Sequence, residues 1–126
     1  MVDLVQWLTA CLDEDERKTR AIPVDLGHEW SDPGPWVMAG SGGGGREAEV
    51  AKVADGLEMP LAEVVAHHIA VWDPARVLRE IDAKRRIVDR YAWLREHGDT
   101  GGTEWVLPLL ALPYADRPGY REEWRP

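Results

Sequence analysis

The chain has 126 residues, 44% apolar and 30% charged, with 15 Lys and Arg against 23 Asp and Glu. That apolar share is too high for a wholly disordered chain, and the length suits a single domain, 1–126, with residues 39–58 as a mobile hairpin or linker. A net charge of −8 argues against a general nucleic-acid binder, and one cysteine, Cys11, excludes an internal disulfide and any Cys-based zinc finger.

Asp3 is placed to cap a first helix over about residues 4–20, with Gln6 three positions on, as in a capping box. Leu4, Val5, Leu8, Cys11 and Leu12 form its apolar stripe, and the run Asp13-Glu14-Asp15-Glu16 reads as a solvated final turn. Residues 21–46 hold Pro23, Pro33, Pro35 and seven glycines, which no helix sustains. Trp36-Val37-Met38 and Glu47–Ala54 read as two strands of a hairpin closed over Gly42–Gly45. Pro60 suits the first turn of a second helix, whose apolar face is Leu61, Val64, Val65, His68, Ile69 and Trp72, with Glu63, His67 and Ala70 turned away.

Asp73-Pro74 then ends that helix and caps a third, which runs to His97 and stops at Gly98. Its stripe is Val77, Leu78, Ile81, Val88, Tyr91 and Ala92. Thr103 is placed to cap a fourth helix carrying Trp105, Val106, Leu109, Leu110 and Leu112, with Pro108 early in it or kinking it. A last turn, Tyr120–Trp124, sets two aromatics on one side. The fold expected is α+β and mostly α: about four helices around one core with a small β-hairpin. Residues 73–97 carry a charge of +2 and residues 21–72 one of −6, so mutual attraction between the third helix and the hairpin region is expected.

The absence of Phe and Asn, and 12 Arg against 3 Lys, follow GC-rich codon usage. The segments Asp32-Pro33-Gly34-Pro35-Trp36, His68-Ile69-Ala70 and Asp73-Pro74-Ala75-Arg76-Val77-Leu78-Arg79-Glu80 resemble a family of short actinobacterial and actinophage proteins. Leu109-Leu110-Ala111-Leu112-Pro113-Tyr114-Ala115-Asp116 and Tyr120-Arg121-Glu122-Glu123-Trp124-Arg125-Pro126 resemble the end of the same family. The family has no known function, so the resemblance implies origin and compactness but no activity. Members often have a second histidine four residues after the position of His68, where this chain has Trp72. Many also carry a cysteine-bearing stretch where this chain has Arg95–Glu104. The metal site those positions suggest in the family therefore lacks its donors here.

Adjacent His67 and His68 point about 100° apart on a helix and do not chelate one ion together; His68 reads as a packed histidine on the apolar face. Gly40-Ser41-Gly42-Gly43-Gly44-Gly45 satisfies G-x-G-x-x-G formally, but without a βαβ context it reads as a flexible turn. Cys11 reads as a buried, inert thiol. Two serines in Gly/Pro-rich loops leave no Ser-His-Asp arrangement. No catalytic residue, metal ligand or cofactor is therefore expected.

Arg79, Arg86 and Arg90 project from one side of the third helix, and Trp93 emerges next to them, opposite the apolar stripe. This mixture matches the anchors of protein interfaces. The competing reading is an ion-pair face, with Asp82 and Asp89 paired to Arg86 and Trp93 covered by the hairpin or the tail. The C-terminal aromatics Tyr114, Tyr120 and Trp124 are expected to dock on the body. The first functional expectation is a non-catalytic protein-binding or accessory module, cytoplasmic and without a membrane segment or signal peptide, its partner another protein or a second copy. A nucleic-acid-associated regulator using the basic helix comes second, and a metal-dependent enzyme last.

Overall fold

The computed structural model describes residues 3–23, 26–40, 48–52 and 57–126. Gly42–Gly45, most of the G-x-G-x-x-G run and the outer ends of the second strand lie outside the described residues. The fold is α+β and mostly α: among the described residues, four α-helices, α1 Leu4–Arg20, α2 Met59–Val71, α3 Pro74–Glu96 and α4 Val106–Ala111, accompany a three-stranded antiparallel sheet. The chain groups into two compact units, one of residues 1–17 and 80–126 and the other of residues 18–79.

In the first unit, Asp3 caps α1 as expected: the Gln6 amide donates to Asp3 Oδ1 at 2.9 Å. That bond, with Arg95 Nη2 at 3.2 Å, holds the Asp3 carboxyl below its usual range. The buried side of α1 is Trp7, Leu8, Cys11 and Leu12. Leu4 and Val5 stay half-exposed, and Trp7 replaces them because the C-terminal tail covers it. Trp7 Nε1 donates to the carbonyl of Pro118 at 3.0 Å, and its ring lies 5.5 Å from Tyr120 and 5.4 Å from Trp124. The tail thus docks on the body. Burial pushes the Cys11 thiol up, against the opposing pull of Arg117.

The acidic end of α1 is more than a solvated turn. Arg85 reaches Asp13 and Glu16, both at 2.7 Å. Arg117 reaches Asp15 at 2.6 Å and donates to the Cys11 carbonyl at 3.3 Å. The helical period divides the run: Asp13 and Glu16, three apart, serve α3, while Asp15, four from Cys11, serves the tail. The carboxylates of Arg85, on the basic third helix, thus come from α1.

Helix α3 is unbroken, with Ile81 and Val88 buried. It closes in a Schellman motif: Gly98 has φ +73°, its amide donates to Arg95 O at 3.3 Å, and the Asp99 amide donates to Leu94 O at 2.9 Å. Thr103 does not cap α4 through its side chain, because its hydroxyl donates to the Thr100 carbonyl. The inward row of this last segment is Leu107, Ala111 and Tyr114, while Trp105, Leu109 and Leu112 are exposed. Helix α4 is only six residues long and tightens into a 3-10 turn at Leu112–Tyr114. That sets a different phase from the one expected of a longer helix.

In the second unit, β1 (Trp30–Ser31), β2 (Trp36–Ala39) and β3 (Ala48–Lys52) pair antiparallel in that order, with a register shift between Val37 and Met38. The hairpin of β2 and β3 matches expectation. The two-residue β1, too short for a periodic signal, was not anticipated. Asp32-Pro33-Gly34-Pro35 turns the chain from β1 into β2, with Gly34 at φ +66°.

Helix α2 begins with Pro60 in its first turn, and Glu63 and His67 face outward, both as expected, but of the expected apolar face only Ile69 packs on the core. Ala62, Ala66 and Ala70 are buried against Val37, with Trp30, Val50, Ala51 and Ile69 around them. Leu61, Val64, Val65, His68 and Trp72 are exposed. One row of methyl groups lets the helix axis approach the sheet closely, and a row of Leu and Val would hold it off. His68 is therefore not a packed core histidine; its ring is tilted against Trp72 at 6.3 Å.

Asp73 joins this unit's sheet to α3. Its Oδ1 accepts from the Arg76 amide at 2.8 Å and its Oδ2 from the Trp30 amide at 3.1 Å. Asp73→Ala removes the helix cap and leaves the Trp30 donor without a partner, so urea denaturation is expected to show a loss of about 1–2 kcal/mol. Asp73→Asn, which keeps an oxygen for the cap, should lose less. Equal losses would mean that the carboxylate charge, and not the cap, is what matters.

Candidate functional site

The candidate site lies in the first unit, on the C-terminal half of α3. Trp93 is exposed at 46%. Its indole is stacked on the His97 ring, centroids 4.0 Å apart and planes 21° from parallel. The Arg90 guanidinium lies 4.7 Å over the same indole. His97 is itself fixed, since its Nδ1 donates to the Trp93 carbonyl at 2.7 Å. An exposed aromatic held by a stacked partner and a cation keeps few rotamers, so less entropy remains to be lost when a partner binds.

A groove of about 280 Å³ runs beside this cluster, lined by Ile87, Tyr91, Leu94 and Val106 with Arg86, Arg90 and Thr103. Arg90 belongs to both features: it lines the groove and covers the indole. Arg86 pairs with Asp82 at 3.0 Å and stays well exposed. Among the described residues, no carboxylate pairs with Arg90. The arrangement offers an apolar slot with two guanidinium groups at its edge and an aromatic platform next to it.

Of the residues singled out from sequence, Arg86, Arg90 and Trp93 come together here. Arg79 is exposed too but belongs to the other unit. The groove itself was not foreseen. Ile87, off the α3 stripe, is the one hint of it in the sequence; Tyr91 and Val106 fall by their spacing on core faces. The ion pair of Asp82 with Arg86 matches the competing reading, whereas Trp93 is not covered.

The other candidates have local roles. His67 Nδ1 lies 3.2 Å from Asp32 Oδ2 on the surface. His28 Nε2 lies 3.4 Å from the Ile22 carbonyl. Among the described residues, no three His, Cys, Asp or Glu side chains are grouped to hold a metal ion, and no helix is long and apolar enough to cross a membrane.

Fold and site together define a small α+β protein with an exposed aromatic-and-arginine surface and no grouped metal donors among its described residues. Its whole length, residues 1–126, matches the DUF6221 family, a family of unknown function, and the chain belongs to that family. No curated protein and no solved structure matches it.

Proposed function

We propose that this chain is a non-catalytic protein-binding or accessory module, cytoplasmic and of actinobacterial or actinophage origin, which engages its partner through the Trp93 face of α3 and the adjoining groove. The observation that carries this reading is the half-exposed indole clamped between Arg90 and His97. Trp and Arg are the residues in which interfaces concentrate their binding energy, and water-exposed indoles are otherwise costly. The groove fits a partner segment that inserts an aliphatic or aromatic side chain and sets carboxylates against Arg86 and Arg90. The excess of Arg over Lys and the lack of Asn and Phe support the origin.

Where the cations of α3 go favours a protein partner over nucleic acid. Arg85 is held by Asp13 and Glu16 and Arg95 by Asp3, which leaves less cationic surface for phosphates than the charge of the helix suggests. Affinity capture from the native host, with the wild type and Trp93→Ala/Arg86→Glu run in parallel as baits, tests the reading. At least one protein retained by the wild type is expected to fall about tenfold or more with the double variant, at unchanged circular dichroism and melting. Equal yields from both baits overturn the proposed surface. A salt-sensitive shift of DNA at low ionic strength would move the function to nucleic-acid binding.

A further inference from the structure

Helix α2 is apolar on two opposite sides. Ala62, Ala66 and Ala70 are buried on the sheet. At about 100° per residue, Leu61, Val64, Val65, His68, Val71 and Trp72 share an arc of roughly 120° on the far side. That arc contains no Asp, Glu, Lys or Arg. Leu61 is 55% exposed and Val64 66%. A helix apolar on two sides is normally covered on both, and the exposed patch, on the order of 500 Å², is as large as monomers usually leave in water.

From this we infer that the outer face of α2 is the contact of a two-fold homodimer, with the two α2 helices antiparallel. Three features select a second copy. The spacing 61, 64/65, 68, 71/72 is the alternating three-and-four step by which helices interdigitate along a seam. The seam carries no charge that needs an opposite one, so the same face is its own complement, as a two-fold axis requires. Two such patches face to face remove about 1,000 Å², the threshold for a specific interface, before flanking residues are counted.

The charges at the helix ends choose the direction. Glu58 stands exposed at the N-terminus of α2, and the Arg76 guanidinium lies 4.0 Å over the Trp72 ring at the other end. An axis passing near Val65, midway between Glu58 and Trp72, brings each Glu58 to the partner's Trp72 and the partner's Arg76. It also sets the helix dipoles head to tail. A parallel pair would put Glu58 against the partner's Glu58. This surface belongs to the 18–79 unit and is independent of the Trp93 site.

Sedimentation equilibrium of the full chain at micromolar concentration is the test. The wild type is expected at twice the 14.2 kDa of one chain. Val64→Asp, placing a charge in the seam, is expected to weaken self-association by roughly a hundredfold and leave the circular dichroism unchanged. Glu58→Arg and Arg76→Glu should each weaken the dimer, and the two together should restore it. Trp93→Ala/Arg86→Glu should remain dimeric. A monomeric wild type overturns the inference, whatever else covers the face. So does a Val64→Asp protein that stays dimeric, or a charge swap that fails to restore association.

Discussion

Replacing Trp7 by alanine is expected to lower the unfolding free energy by about 3–5 kcal/mol. The side chain is 7% exposed and touches two further aromatics, Tyr120 and Trp124. Each ring pair adds about 0.5–1.5 kcal/mol beyond the area removed from water. Truncation also takes away the indole N–H from the Pro118 carbonyl, and it opens a cavity that the neighbouring tail cannot fill without leaving α1. Gly119 offers a milder version of the same perturbation. It sits at φ +87°, and a Cβ there would meet Trp7 Nε1 at 3.0 Å. Gly119→Ala should therefore cost about 1–2 kcal/mol, and less than that when Trp7 is already alanine, because the clash is then gone. Urea denaturation followed by far-UV circular dichroism measures all three proteins. A Trp7→Ala protein within about 1 kcal/mol of the wild type would show that the tail contributes little to holding α1.

Enlarging a small residue in α2 is expected to do more harm than trimming a large one. Ala66 is fully buried, facing Val37, which is fully buried as well. Ala66→Leu forces three extra carbons into that contact and should cost about 1–3 kcal/mol, or more if the sheet cannot yield. Val64→Ala, on the outer face, should change the stability of the isolated chain by no more than about 0.5 kcal/mol. Thermal melts under dilute conditions read both. The opposite order, with Val64→Ala the more damaging, would mean that α2 packs by its branched residues after all.

That contrast marks where the amino-acid order is informative and where it is not. Local backbone chemistry was legible: the Asp3 and Asp73 caps, Pro60 and Pro74 in first turns, and the Gly98 stop all set element ends within a residue or so. So was the single long α3, whereas two readings of Trp93, exposed or covered by the hairpin or the tail, were both compatible with the residue pattern. Which side of α2 turns inward was not legible, because both sides are apolar and periodicity ranks them only by bulk. Trp7 was overlooked for a related reason, since its burial depends on aromatics more than 110 residues away. The acidic run of α1 looked solvated because its arginine partners, Arg85 and Arg117, come from distant segments. The candidate groove was hidden for another reason: one wall is a side of α3 and the other is Thr103 and Val106, just past the Gly98 turn, and the way that turn folds back decides whether they meet.

The discontinuity of the 1–17 and 80–126 unit bears on how the protein is made. A ribosome adding about 5–20 residues per second delivers α1 roughly 5–20 seconds before Tyr120 and Trp124 emerge. During that interval Leu8 and Leu12 wait beside an unsheltered Trp7, while residues 18–79 can already close on themselves. The apolar side of α1 therefore stays uncovered through most of synthesis, the kind of surface that holdase chaperones bind.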